Sequence, residues 1–382
     1  RDQLMNEQET ANEPIRITPD LAKRIQEELG QNDYLCYQCV KCTSGCPVGE
    51  FFDWQPNQIM RAVQLGQEDI ALESQTPWLC AACQTCTTRC PQSLDINGIM
   101  EFLTREALER GIEPPVPQID DFNKAFMREV RLWGRAYEPG LMAEMKLRNP
   151  KSLFDDMDIY LEMLKKRKVG VLPKFGHPPR HPKPRPEAAK AVAYYPGCSL
   201  HSTAGEFDGS ARAVAEALDL AIIEPDGWVC CGSSAAHRID PELATELPMK
   251  NLALIEQSGF KEVTMPCAAC FNRHKAAQYE IRHDAEHKSL VDDAIGYEYQ
   301  DSVQVNTLTE TILKHVGAEG VRARVKKPLE GLRVVAYYGC LLTRPPRVTE
   351  AEHPENPTDM DLSLIHISEP TRPRLVSRMP SS

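Results

Sequence analysis

Several things are missing from this sequence of 382 residues. No apolar run approaches the roughly 18–20 residues that a bilayer-crossing helix needs. The opening RDQLMNEQET carries no signal-peptide pattern and no initiator methionine, so the natural start is expected upstream or at Met5. Basic residues are outnumbered. A formal net charge of −11 argues against a nucleic-acid partner. No Gly-x-Gly-x-x-Gly fingerprint occurs, so flavin or nicotinamide is expected on another polypeptide rather than on this chain. These absences point to a cytoplasmic protein with no membrane span, long enough for two or three domains with cores of their own.

What the chain has in quantity is cysteine, 14 residues in all. In a reducing compartment that number means metal ligands or redox chemistry more often than disulfides; a secreted disulfide scaffold suits shorter chains. Eight of the cysteines form two copies of one run. Cys36, Cys39, Cys42 and Cys46 lie in CYQCVKCTSGCP, and Cys80, Cys83, Cys86 and Cys90 in CAACQTCTTRCP. Both fit the C-x2-C-x2-C-x3-C-P spacing of bacterial-type ferredoxins, in which the fourth cysteine serves the other cluster. On that rule Cys36, Cys39, Cys42 and Cys90 hold one [4Fe–4S] cubane, and Cys80, Cys83, Cys86 and Cys46 hold the other. Zinc also accepts four thiolates, but two complete copies of this run favour iron–sulfur clusters.

The sequence around these runs reads as helical. Thr18 and Pro19 open a first helix with Leu21, Ile25 and Leu29 on one face and Gly30 as its stop. A helical stretch covers Asn57 to Leu65. Helical, charged sequence then continues to about Lys168. The proline-rich LPKFGHPPRHPKPRP (Leu172 to Pro186) predicts an extended linker. Beyond it, short apolar runs at 191–195, 220–223, 262–265, 303–305 and 332–338 alternate with helical stretches such as 205–218, 249–258 and 306–316. The fold class expected is therefore α + α/β: a mostly helical ferredoxin-like domain, then an α/β domain with a mainly parallel sheet. The boundaries read as a flexible N-terminus (1–16), a helical domain with two [4Fe–4S] motifs (17–168), a linker (169–189), an α/β domain (190–330), the start of a second such domain (331–361) and a tail (362–382).

The α/β part carries a second cysteine system: Cys198, the pair Cys230 and Cys231 followed by Gly232, then Cys267 and Cys270. Five thiolates exceed what one tetrahedral zinc or one cubane takes, and adjacent cysteines crowd two of them into one small volume. A larger or less regular cluster suits that set; a structural zinc with a spare cysteine is the plain alternative. Gly232 fits a backbone with positive φ or close approach to a metal. Cys198, Cys267 and Cys340 each follow a predicted strand, at the carboxyl edge where open α/β sheets gather ligands.

The segments YYPGCSLHSTAGEFDGSARAV, WVCCGSSAAH and PCAACFNRHKAA resemble the B subunit of heterodisulfide reductase, and CYQCVKCTSGCPV with WLCAACQTCTTRCPQ resembles the C subunit. Over roughly residues 15–360 the chain looks like a C–B fusion. The resemblance implies that Cys198, Cys230, Cys231, Cys267 and Cys270 hold a noncubane [4Fe–4S] cluster of the CCG type. It also implies that a flavin-bearing protein like that enzyme's A subunit, or another redox donor, supplies electrons through the two cubanes to a disulfide substrate. VAYYGC and GCLLTRPPR, around Cys340, resemble the start of a second CCG unit. LSLIHISEPTR (362–372) and SRMPSS (377–382) resemble translated sequencing adapter, so the second unit is expected to be cut short. Cys340 is then expected to be a ligand whose partner cysteines lie beyond this sequence, the second noncubane cluster is lost, and the chain is inactive alone. CCG units also occur in iron–sulfur subunits of lactate, glycolate, glycerol-3-phosphate and succinate oxidoreductases, which is the rival expectation. A non-enzymatic protein with structural zinc in the CCG site is the other.

Remaining polar residues near the motifs read more plainly. His237, Arg273, His274 and Arg344 could orient an anionic thiol or donate a proton, but loop packing and capping use such groups more often. His283 and His287, four apart on a predicted helix, fit a solvated face better than a metal site. Trp78 and Trp228, each two residues before a cysteine, shield clusters or simply fill core.

Overall fold

A computed structural model describes residues 20–149, 157–166, 168–170, 172–179, 182, 191–328, 333–334, 336–364 and 369–370. The chain forms two compact units divided after Ile119. Among the described residues no helix is long and apolar enough to cross a membrane.

The first unit is helical throughout its described residues: α1 (Asp20–Leu29), α2 (Lys41–Ser44), α3 (Pro56–Gln64), α4 (Glu68–Glu73), α5 (Thr76–Leu79), α6 (Thr85–Arg89) and α7 (Ile96–Glu109). The expected cap at Thr18 and Pro19 lies outside the described residues. The N–H of Leu21 instead donates to Glu68 Oε1 at 3.1 Å. Gly30, at φ +64°, ends α1 as its sequence predicts. Gln55 and Gln58 form a capping box before α3, and Asp95 caps α7 by accepting from the Gly98 N–H at 3.0 Å. Arg110 bonds both Glu68 and Glu106, and Arg24 reaches the same buried Glu106, so charge pairs tie α1, α4 and α7 together. Leu21, Ile25, Ile59, Met60, Ile99 and Phe102 fill the core, each worth about 1.5–3 kcal/mol of apolar burial. Cys42 lies within that core, and Cys36, Cys80, Cys86 and Cys90 pack at its edge.

The second unit begins with α8 (Pro117–Trp133, which crosses the division), α9 (Glu138–Arg148) and α10 (Met157–Lys165). Then come β1 (Val192–Tyr194), α11 (Gly197–Leu200), α12 (Gly205–Ala217), β2 (Ile222–Ile223), α13 (Ser233–Ile239), α14 (Pro241–Gln257), β3 (Glu262–Met265), α15 (Ala268–His283), α16 (Ala285–Ile295), β4 (Gln304–Thr307), α17 (Leu308–His315) and α18 (Gly317–Arg324). The last elements are β5 (Arg333–Val334), α19 (Cys340–Thr343), α20 (Pro346–Thr349), α21 (Asp359–Leu364) and β6 (Glu369–Pro370).

Four strands form one parallel sheet in the order β2-β1-β3-β4, with Ala193 opposite Ile223 on one side and Val263 on the other. From β1 the chain moves out to β2, then returns past β1 to β3. The strand order therefore reverses between β1 and β3, the kind of crevice where doubly wound sheets bind ligands. Cys198 follows β1 and Cys267 follows β3, so both flank that switch point.

Three features differ from the sequence expectation. The division falls after Ile119, well before the proline-rich stretch: Met127 and Val130 of α8 pack against Val229, Cys230, Ala236 and Leu247. The described part of that stretch is extended but packed, with Gly176 N–H donating to Trp133 O at 2.8 Å and Phe175 edge-on to Trp133. The strand predicted near 332–338 is not in the main sheet; β5 pairs with β6, so part of the segment read as an adapter-like tail forms a two-stranded element. The flexible N-terminus expected at 1–16, and the residues of that tail beyond Pro370, lie outside the described residues.

Candidate metal centres

In the first unit the two cysteine loops share one backbone pattern. Gln38 and Val40 have φ of 62° and 65°, and Ala82 and Gln84 have φ of 50° and 61°. These are the second and fourth positions after the first cysteine of each run. A β-branched residue such as Val40 in the left-handed region costs about 1–3 kcal/mol, which persists only where the surroundings require it. Alternating handedness turns successive backbone N–H groups to one side, making the concavity that anions and iron–sulfur centres occupy.

The thiols group across the loops. Burial raises the Cys36 thiol pKa, and Cys90 and Cys39 add to the shift as near neighbours. Cys42 is pushed up to about 11 by burial, with Cys36 and Cys39 beside it. Burial also raises Cys46, helped by Cys83, and raises Cys86 well above the usual thiol range, helped by Cys80, Cys83 and Cys42. Cys46, Cys80, Cys83 and Cys86 line one apolar pocket with Phe52 and Met100. Cys90 therefore lies near Cys36 of the first run, and Cys46 lies near the second run. Among the eight, only Cys39 is exposed.

That crossing has a testable consequence. Cys39→Ala combined with Cys90→Ala is expected to remove about four irons, because both act on one [4Fe–4S] cluster. Cys39→Ala with Cys46→Ala removes about eight. Iron and sulfide counts on anaerobically reconstituted protein distinguish the two; equal losses from both pairs would exclude the crossed assignment.

The second unit brings its five cysteines into a chain of thiol contacts. Cys198 bonds Cys230, Cys230 bonds Cys231, Cys231 lies 3.6 Å from Cys270, and Cys270 bonds Cys267. Its Cys230 and Cys270 neighbours hold Cys231 well below the usual thiol pKa, against burial. Cys267, just before α15, is lowered to about 7 by the Cys270 thiol, against burial, with the Cys270 and Ala269 N–H groups helping. The local fold dictates this proximity. Gly197 has φ +75°, and a Cβ there would meet Cys270 Sγ at 2.7 Å. Gly232 has φ +79°, as its sequence context predicts, and turns the chain from the cysteine pair into α13.

Buried side chains fix the pair from behind. Asn251 receives the Val229 N–H at 2.8 Å and donates to Val229 O at 3.0 Å. Tyr195 donates to the same carbonyl at 2.7 Å and packs edge-on against Trp228 and His274. His274 Nδ1 contacts Cys270 O at 2.7 Å, so it carries the proton, while Nε2 accepts from Asn251 at 3.2 Å. Burial lowers the His274 pKa and keeps the ring neutral. With both nitrogens engaged, His274 positions the α15 cysteines rather than moving protons. Arg273 is buried one turn past Cys270. Its Nε has no hydrogen-bond partner among the described residues. His237 is half-buried in α13, and Arg344 pairs with Glu355 at 3.0 Å. His283 and His287 do not share a helix, because Asp284 ends α15 and caps α16. Trp78 is buried in the first unit's core, whereas Trp228 packs on Tyr195 in the second site.

Cys340 opens α19 beside this site. A Cβ on Gly339 would lie 3.4 Å from that of Ala268, and Asn272 donates to Leu341 O at 3.2 Å and Arg344 O at 2.8 Å. A further contribution, not foreseen from residue types, comes from the corner between α8 and α9. The Ala136 N–H donates to Cys198 Sγ at 3.4 Å, and the Cys230 N–H donates to Gly134 O at 2.8 Å. Gly134, which interrupts a helical stretch in RLWGRAYEPG, is a sign of a turn there, as is the Pro139–Gly140 pair.

Among the described residues no three His, Cys, Asp or Glu side chains gather tightly enough for a single ion. Cys46, Cys80, Cys83 and Cys86 border one shared pocket instead, and in the second site backbone N–H groups point at the Cys198 and Cys267 sulfurs. Thiolate donors of this chemistry suit iron–sulfur clusters.

Comparison with known proteins agrees in kind. Residues 35–95 match the 4Fe-4S dicluster domain family, and residues 192–273 match the cysteine-rich (CCG) domain family. The chain is similar to the 8-methylmenaquinol:fumarate reductase membrane anchor subunit of Wolinella succinogenes, with 34% identity over 45% of this chain and 60% of that protein. It is similar to the B subunit of the ferredoxin/F(420)H(2)-dependent CoB-CoM heterodisulfide reductase of Methanosarcina acetivorans, with 23% identity over 44% of this chain and 57% of the relative. The C subunit of the H(2):CoB-CoM heterodisulfide,ferredoxin reductase of Methanothermobacter marburgensis is 28% identical over 29% of this chain and 60% of its own length. The chain thus spans less than two thirds of each of these relatives. It is an iron–sulfur protein with a dicluster domain and a CCG domain, resembling the C and B subunits of heterodisulfide reductase.

Proposed function

We propose that this chain is the iron–sulfur subunit of a heterodisulfide-reductase-like complex, relaying electrons to a disulfide. In this reading Cys36, Cys39, Cys42 and Cys90 hold one cubane, and Cys46, Cys80, Cys83 and Cys86 hold the other. Cys198, Cys230, Cys231, Cys267 and Cys270 hold a noncubane cluster, with Cys340 opening a further site alongside. The observation that carries the reading is the unbroken line of four contacts joining five thiols at the β1–β3 switch point. When bound, the clusters supply electrons one at a time, while cleavage of R–S–S–R′ to two thiols consumes two electrons and two protons. The chain's own residues hold the five sulfurs in register, through Gly197, Asn251, Tyr195 and neutral His274. Electrons enter from a flavin-bearing partner. The exposed Cys39 edge is where such a partner's redox group comes nearest to the first cubane.

A second reading rests on the 34% identity to the fumarate reductase anchor protein. Here the same clusters serve a flavin-dependent oxidoreductase, and another chain handles the substrate. One experiment separates them. The complex assembled with its natural redox partner is reduced anaerobically and offered a disulfide, then fumarate. Thiol release at two electrons per disulfide is expected; oxidation by fumarate alone would favour the second reading. A reconstituted chain holding about eight irons instead of about twelve would remove the CCG cluster from both.

A further inference from the structure

The corner between α8 and α9 contains a cation, Arg135, with no direct salt bridge among the described residues; it contacts His201 Nδ1 at 3.5 Å and feels Glu224 at longer range. The Arg135 guanidinium carbon lies over the Trp228 ring, 3.5 Å from its centroid, and its Nε donates to Trp228 O at 3.0 Å. The nearby Glu224 is already taken by Arg212 at 2.7 Å, Trp228 Nε1 at 2.8 Å and His201 at 3.0 Å. Glu138, in the same pocket as Arg135, bonds the Ser202 hydroxyl. Arg135 shares that pocket with Cys198, and the next residue, Ala136, donates its N–H to the Cys198 sulfur. The corner is also held rigidly. Gly134 has φ +74°, and a Cβ there would collide with Gly176 O at 1.8 Å. Its carbonyl accepts the Cys230 N–H.

We propose that residues 134–136 form a strap over the CCG cluster site, with the Arg135 charge and the Ala136 N–H raising the reduction potential of the cluster held there. The inference rests on the reading that these cysteines bind a cluster. An iron–sulfur centre gains negative charge on reduction. A fixed cation and an N–H···S bond at Cys198 therefore favour the reduced form. A guanidinium suits the task because it stays protonated at any working pH and stacks on an aromatic face. Arg135 acts through the sulfur environment, so it is a positioning and tuning residue.

The test is a redox titration of the full reconstituted chain, followed by paramagnetic resonance, with Arg135→Gln and Arg135→Lys. The glutamine variant is expected to shift the CCG cluster to lower potential by roughly tenfold in reduction equilibrium, about 59 mV for one electron. Both cubane potentials stay in place, and lysine restores most of the shift. Loss of iron from the CCG site in the glutamine variant would make Arg135 a structural residue of that site and overturn the tuning role. An unchanged CCG potential, or an equal shift of all three clusters, would overturn it. A wild-type chain with no iron at the CCG cysteines would overturn the underlying reading and the strap together. The iron count thus tells the two failures apart.

Discussion

Cys231→Ser is expected to abolish the paramagnetic signal of the CCG cluster and remove about four of roughly twelve irons, leaving both cubane signals intact. Cys231 sits in the middle of the thiol chain, between Cys230 and Cys270, and is buried. A serine oxygen is a harder, more basic donor than a thiolate and suits this soft site poorly. The change is nearly isosteric, so the core around Tyr195, Trp228 and Phe271 keeps its packing. Selectivity follows from the division after Ile119, since the eight ferredoxin-type cysteines belong to a unit with its own core. Loss of all three signals in this variant would contradict separate sites; an unaltered CCG signal would remove Cys231 from the ligands.

The second large effect concerns one methyl group with opposite consequences at two glycines. Gly197→Ala forces a side chain into the left-handed region and sets its Cβ 2.7 Å from Cys270 Sγ. The backbone strain alone costs about 1–3 kcal/mol, and the sulfur must also move. This variant is expected to unfold at clearly lower denaturant and to lose the CCG iron. Gly209→Ala, in the middle of α12 with open space where its Cβ would sit, should stabilise by about 0.5–1 kcal/mol. Denaturation midpoints and iron counts on both variants check the pair. Equal behaviour of the two would mean that Gly197 is not held against the cysteine.

How much of this the sequence reveals depends on how each interaction is written into it. Cysteine is a rare residue at fixed spacing, so the grouping of the thiols into two systems is legible directly, and the nearness of Cys90 to the first run and Cys46 to the second agrees with the spacing. Four of the five predicted strands appear in the main sheet, because short apolar runs between turn signals have few alternative uses. The fifth also forms a strand, but it pairs with β6 outside the main sheet, because strand pairing depends on chain distant in sequence. The strap is invisible for a different reason. Any residue except proline can offer the Ala136 N–H, so a hydrogen bond to sulfur leaves no trace in residue type. His274 can be weighed from sequence but not resolved, since its role turns on Asn251, 23 residues earlier.

The position of that strap also bears on how the polypeptide can be dissected. Composition invites a cut in the proline-rich segment, which would separate Met127, Val130, Arg135 and Ala136 from the cysteines they contact. A fragment starting near residue 120 keeps those contacts, whereas one starting near 190 would expose the apolar faces of Val229 and Leu247 and strip Cys198 of its backbone donor. Cofactor retention at the CCG cysteines is therefore expected to depend on residues 120–136 as well as on the sheet and its loops.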